Sequence, residues 1–146
     1  MKKLFLIAFG FMAISFSNWQ PSFEKAKEIA KNNHQLILLN FSGSDWCGPC
    51  IRMRKEIFDS ETFSAMADSL LVMVNADFPR NEKNQPGKSV QAQNEMLADK
   101  YNAEGKFPLT VLLDENGNLI KSWDGLPKES AQQFASEIKA LSDTRK

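Results

Sequence analysis

The sequence predicts an α/β fold, a small central sheet covered by helices on both faces. Three observations carry that expectation. Leu36-Ile37-Leu38-Leu39 and Leu70-Leu71-Val72-Met73-Val74 are apolar at every position, as strands buried on both faces are. Segments with apolar residues at helical spacing stand around and between them. Asp114-Glu115-Asn116-Gly117 separates two more strand-like runs, and its Asn-Gly pair is a strong hairpin signal.

In chain order, Pro21 and Ser22 open a short amphipathic helix on which Phe23, Ala26 and Ala30 recur, and Asn32, Asn33 and His34 close it. His34 reads as a solvent-facing cap residue and is given no chemistry. The first buried strand, Leu36 to Phe41, feeds a helix that begins at the cysteines and carries Met53, Ile57 and Phe58 on its buried side. The second strand follows, so the pair forms a right-handed parallel crossover around that helix. Pro79 to Gln93 is polar and punctuated by Pro86-Gly87, which reads as a surface loop ahead of the next helix. Leu109 to Leu113 and Leu119 to Trp123 are the hairpin strands. Pro127 then starts a final helix with Ala131, Phe134, Ile138 and Leu141 on one face, Trp123 and Phe134 being core residues.

A chain of 146 residues, 42% hydrophobic, is sized for one domain with a real core. Its 18 basic and 18 acidic residues balance, so charge gives no footprint for nucleic acid or an anionic membrane. Lys2 and Lys3 precede an apolar stretch from Leu4 to Phe16, with small residues at Ser15 and Ser17. That is a secretory signal peptide in outline, expected to span residues 1–17 and to leave residues 18–146 as the domain. The stretch is 13 residues long, short of the ~20 that a membrane-spanning helix needs. No cysteine lies near the junction to accept a lipid, so the mature protein is expected free in the exported compartment, the periplasm.

Chemistry concentrates at Trp46-Cys47-Gly48-Pro49-Cys50, which holds both cysteines of the chain at a strand-to-helix junction. Residues at i and i+3 of a helix have Cβ atoms roughly 5–6 Å apart, close enough for two sulfurs to bond and part without refolding. Backbone N–H groups and the helix dipole favour an anion at such a start, so a thiolate at Cys47 is expected to form below the free value of ~8.5. Pro49 lacks the N–H that a first helical turn leaves unpaired, and Gly48 leaves room for an incoming chain. A zinc site needs about four ligands, more than Cys47, Cys50 and the lone His34 supply. A purely structural disulfide closed over so few residues gains little unfolded-state entropy. The pair therefore reads as redox-active, with no cofactor and no metal.

The pentapeptide Trp46 to Cys50, Phe107-Pro108 ahead of the strand Leu109 to Leu113, and the Asn116-Gly117 hairpin resemble the thioredoxin family from about Pro21 to Leu141. Phe41-Ser42-Gly43-Ser44-Asp45-Trp46-Cys47 and Leu97-Ala98-Asp99-Lys100-Tyr101-Asn102 further resemble exported bacterial thioredoxin-like proteins with an extended middle loop. The resemblance implies a thioredoxin-like fold with a central mixed sheet. It implies that Cys47 attacks, Cys50 resolves, Trp46 flanks the site and Pro108 is a cis-proline facing the cysteines. Cis accounts for only ~5–6% of X-Pro bonds in folded proteins, so this expectation rests on the resemblance alone. With the bond cis, the carbonyl and amide of Phe107 are placed to pair with an extended substrate.

Two departures limit the parallel. The family's buried Asp is replaced by the stretch Asn40-Phe41, with one extra residue before Trp46, and its accompanying lysine by Met73. The proton of Cys50 must then leave to water or another group. Asp45 is nearby, but its position makes it a solvated loop residue first. The expected function is an exported thiol-disulfide oxidoreductase that reduces or exchanges disulfides of protein substrates and so serves redox homeostasis there. Gly48-Pro49 resembles the reducing members, and a reductase outside the cytosol requires an inner-membrane dithiol donor. The Pro79 to Gln93 loop is either a specificity element or a tolerated insertion. A non-enzymatic peptide-binding module with an inert disulfide is the competing class, and a net oxidase differs from the reductase only in potential.

Overall fold

Ser22 accepts a hydrogen bond from the backbone N–H of Lys25 and starts helix α1, Phe23–Asn33, in the computed structural model, which describes residues 19–145. The expected signal segment, residues 1–17, lies outside the described residues. His34 ends α1 in the left-handed conformation, exposed, as a cap residue should be. Strand β1, Leu36–Ser42, is buried along its whole length. Helix α2, Gly48–Met53, follows and continues as a π-helical turn, Arg54–Phe58. Then come α3, Glu61–Leu70, and β2, Leu71–Asp77. Helix α4, Lys88–Tyr101, leads to the hairpin of β3, Leu109–Leu113, and β4, Leu119–Asp124, and α5, Ala131–Asp143, closes the chain.

The strands lie in the order β2-β1-β3-β4, with β1 parallel to β2 and the other neighbours antiparallel. The sheet is thus mixed, and period-two alternation along β1 divides its side chains between two cores. Ile37, Leu39 and Phe41 meet Phe23, Ala26 and Ala30 of α1 and Leu97 of α4. Leu36 and Leu38 meet Met53, Ile57 and Phe58, together with Phe63 of α3 and Phe134 and Ile138 of α5. Every residue of β1 is therefore apolar up to Asn40 because neither face meets water. Among the described residues no helix is long and apolar enough to cross a membrane.

Three local expectations need correction. One helix was expected between the parallel strands, whereas the chain makes two. The N–H of Asp59 bonds back to the Arg54 carbonyl at 2.9 Å, ending the first. Ser60 then caps the second by accepting from Phe63 N–H at 3.2 Å. The Pro79 to Gln93 segment is not loop throughout, because α4 begins at Lys88. The last helix begins at Ala131 rather than Pro127, since Ser130 and Gln133 form a reciprocal capping box there.

Candidate active site

The carboxyl end of β1 delivers the chain to a tight turn in which Trp46 N–H and Cys47 N–H both reach the Gly43 carbonyl, at 3.2 and 2.9 Å. A Cβ at Gly43 would stand 2.2 Å from the Trp46 ring, so only glycine lets the indole fold over the turn. The indole N–H donates to the Phe78 carbonyl at 2.8 Å, which fixes the ring beside the next residue, Cys47.

Cys47 is the N-cap of α2, and its sulfur accepts from the backbone N–H of Cys50 at 3.3 Å. Cys47 and Cys50 are joined in a disulfide, their Cα atoms 5.2 Å apart. Gly48 and Pro49 occupy the exposed first turn in front of it, and a Cβ at Gly48 would meet nothing within 4 Å. Burial does not separate the two cysteines, which are 5% and 4% exposed. Their surroundings do. Cys47 heads the turn under Trp46, whereas Cys50 backs onto a cavity of about 270 Å3 lined by Asn40, Ser42, Ser44, Ile51, Arg54, Lys55 and Asn75.

The register pairs Phe41 with Leu109, which brings residues 107 and 108 beside the turn that carries the cysteines. The Phe107-Pro108 bond is cis. Phe107 packs edge-on against Trp46, with centroids 5.4 Å apart, and against Phe78 at 5.7 Å, making an aromatic wall along this edge. The residues singled out in the sequence, Trp46, Cys47, Gly48, Pro49, Cys50, Phe107 and Pro108, are thus gathered at one end of the sheet, where open α/β sheets place their sites.

Behind Cys50 runs a chain of polar groups. Thr110, fully buried, donates to Asn40 Oδ1 at 3.1 Å, and Asn40 donates to Asn75 Oδ1 at 2.9 Å. The Ser42 hydroxyl lies 3.1 Å from both Asn75 Oδ1 and the Asp77 carboxylate, which Ser44 also engages at 2.6 Å. Buried polar groups cost free energy unless paired, so this network is a built feature of the cavity wall. No carboxylate lines the cavity among the described residues, consistent with Asn40 standing where the family's acid would be. Met73 is 3% exposed and packs in the core with Leu38 and Met53, so it supplies no charge.

Asp45 is an exposed turn residue, as expected, but its carboxylate is fully engaged. Its carboxylate accepts from Arg80 N–H at 2.9 Å, Asn81 N–H at 2.8 Å and Asn84 Nδ2 at 3.0 Å. The Arg80 amide bond, followed by those from Asn84 and Asn81, holds its pKa below the usual carboxylate value. Residues 80–84 are thereby tied to the residue before Trp46, and the Arg80 guanidinium lies 4.1 Å from the centroid of the Trp46 ring. Asn75 and Thr110 were also missed, although Leu36-Ile37-Leu38-Leu39-Asn40 and Leu71-Val72-Met73-Val74-Asn75 each end an apolar run on asparagine, and the two asparagines are register partners.

A sequence model of the thioredoxin-like domain matches residues 23–142. The chain is 34% identical over 122 residues to the disulfide bond reductase DsbH of Chlamydia pneumoniae, covering 84% of this chain and 70% of that protein. It is 28% identical over 120 residues to the thioredoxin-related protein DsbJ of Chlamydia pneumoniae, 82% of this chain but 34% of DsbJ. Among solved structures, a DsbH oxidoreductase matches with a TM-score of 0.77 at 32% identity, over 86% of this chain and 83% of the other. A thioredoxin from Thermus thermophilus, at 17% identity and a TM-score of 0.62, over 84% of this chain and 85% of the other, shares the fold.

Proposed function

We propose, from the premise that this chain belongs to the thioredoxin-like family, that it is a thiol-disulfide oxidoreductase that reduces or exchanges disulfides of protein substrates. The Cys47–Cys50 disulfide at the head of α2 carries the reading, and the 34% identity to a disulfide bond reductase supports its direction. In the reduced protein, Cys47 is the attacking thiol. Its sulfur already accepts a helix-start N–H, an interaction that strengthens when the sulfur is an anion.

Attack on a substrate disulfide joins Cys47 to one substrate sulfur and releases the other as a thiolate, which takes a proton from water. Cys50 then loses its own proton and attacks the Cys47 sulfur. The second substrate thiolate leaves, and the Cys47–Cys50 bond is restored. Two electrons have passed to the substrate. The cavity behind Cys50 is the exit for its proton, lined by the hydroxyls and amides of Ser42, Ser44, Asn40 and Asn75. Trp46 and Phe107 give the incoming segment an apolar seat. The Phe107 backbone, just ahead of β3 beside that seat, offers a pairing edge to an extended chain.

The finer reading places a signal peptide at residues 1–17, the domain at 18–146 and the working site in the periplasm, recharged by an inner-membrane dithiol donor. A binding module with an inert disulfide is favoured by one observation, the 5% exposure of Cys47. Insulin reduction by dithiothreitol separates the two. The native protein is expected to shorten the onset of precipitation severalfold, and Cys47→Ser to abolish the effect. No acceleration by the native protein would leave the binding module standing.

A further inference from the structure

The charges on the face beside Cys47 are arranged unequally. Lys106 is engaged by Glu104 and Asp124 at 2.8 and 3.1 Å, Arg52 by Glu56 at 3.0 Å, and Arg54 by Asp59 at 2.9 Å. The Asp45 carboxylate is occupied by three donors and takes Arg80 through its backbone N–H, not through its guanidinium. Arg80 is exposed, and among the described residues no carboxylate pairs with its guanidinium. Lys55 adds positive charge at the cavity behind Cys50.

Arg80 is also held in place. Asp45 pins its backbone, and the indole of Trp46, itself fixed on the Phe78 carbonyl, lies under its guanidinium. An arginine stacked on tryptophan keeps its planar fork of donors free at the outer edge, and a fork already ordered loses less entropy when it binds. That fork matches a carboxylate in two-pronged geometry. Trp46 is the residue before Cys47 and packs on Phe107, so this edge borders the sulfur that a substrate disulfide has to reach.

We propose that Arg80, stacked on Trp46 beside Cys47, is a specificity-determining residue that selects disulfides whose cysteine is flanked by Asp or Glu. The proposal rests on the oxidoreductase reading and names its substrate class. It also gives the segment after β2 a purpose: Asp45 holds that segment so that one cation stands at the rim.

The test uses the reduced full-length protein and three disulfide peptides that differ only in the residue next to the cysteine, Glu, Gln or Lys. Rates are expressed relative to the Gln peptide, which separates charge selection from any general change in Cys47. The native protein is expected to reduce the Glu peptide about fivefold faster than the Lys peptide at low ionic strength, the scale of an exposed charge contact. Salt near 0.5 M should compress that ratio, because exposed charges are screened over a few ångströms there. Arg80→Gln should bring the ratio toward one, and Arg80→Glu should invert it. A purely structural role for Arg80 would slow all three peptides alike and leave their ratio intact. A ratio near one in the native protein, or one unchanged by Arg80→Gln, overturns the proposal alone. Failure to reduce any of the three overturns the oxidoreductase reading and this proposal with it.

Discussion

Cys47 owes its setting to a glycine four residues earlier. The Trp46 ring passes so close to Gly43 that a methyl group there has no room, and the same turn supplies the carbonyl that both Trp46 and Cys47 bond. Gly43→Ala should therefore destabilise the fold by about 1–3 kcal/mol, the usual penalty of overpacking, and should release the indole from the Phe78 carbonyl. Urea unfolding measures the first effect and the Trp46 indole N–H resonance the second; an unchanged midpoint and resonance would contradict the geometry. Residue-scale features split by how local they are. The thiol pair was legible because its spacing and its neighbours lie within five residues of sequence. Asp45 was not, because the groups it accepts from stand 35 to 39 residues away and nothing in its own neighbourhood announces them. Asn40 was noticed as a missing acid, but its bond to Asn75 required knowledge that β1 and β2 pair in register.

Elements were legible where a single period dominates. Both parallel strands and the hairpin follow from apolar runs and the Asn116-Gly117 pair, and Gly117 adopts φ +82° at the end of a turn that begins at Asp114, a conformation glycine takes without strain. The break between α2 with its π-helical turn and α3 was not legible, since Met53, Ile57 and Phe58 read as the apolar face of one helix and no glycine or proline marks where it stops. What ends the first helix is a backbone bond at Asp59 and a new cap at Ser60, with Phe58 and Phe63 in ring contact across the break, centroids 5.3 Å apart. The hairpin has its own device in Asp114, which accepts from the backbone N–H groups of Asn116 and Asn118 and from Asn118 Nδ2, each at 2.9 Å. Burial works against its ionised form, but the Asn118 and Asn116 bonds and the nearby Arg145 outweigh it and hold the pKa below 3.8. A carboxyl lowered on folding stabilises the fold above its unfolded value and loses that contribution as pH falls through the folded one. Asp114→Ala should thus cost about 2 kcal/mol at neutral pH, with the difference from the native protein shrinking below pH 3.8. Urea titrations at pH 7 and near pH 3 check this; a pH-independent difference would contradict the linkage.

At the scale of the whole molecule, a β2-β1-β3-β4 sheet with a core on each face leaves one edge for chemistry, the end where β1 stops and β3 begins. The crossover puts a helix start and its cysteines there, the register puts Phe107-Pro108 opposite, and the segment after β2 returns to the same place through Asp45. The architecture was legible because element order restricts the topology to few choices. The placement of residues 79–87 was not, because they carry no periodic signal and what ties them to the site is a set of long-range hydrogen bonds to Asp45. The central claim is that Cys47 attacks and Cys50 resolves. Reduced Cys50→Ser protein mixed with a disulfide-bearing protein, quenched with acid and read by intact and peptide mass spectrometry, tests it most directly. The account predicts one covalent adduct per chain, located at Cys47, removed by dithiothreitol and absent from Cys47→Ser,Cys50→Ser. A protein that forms no adduct in Cys50→Ser, or that forms its stable adduct through Cys50 in Cys47→Ser instead, would contradict it.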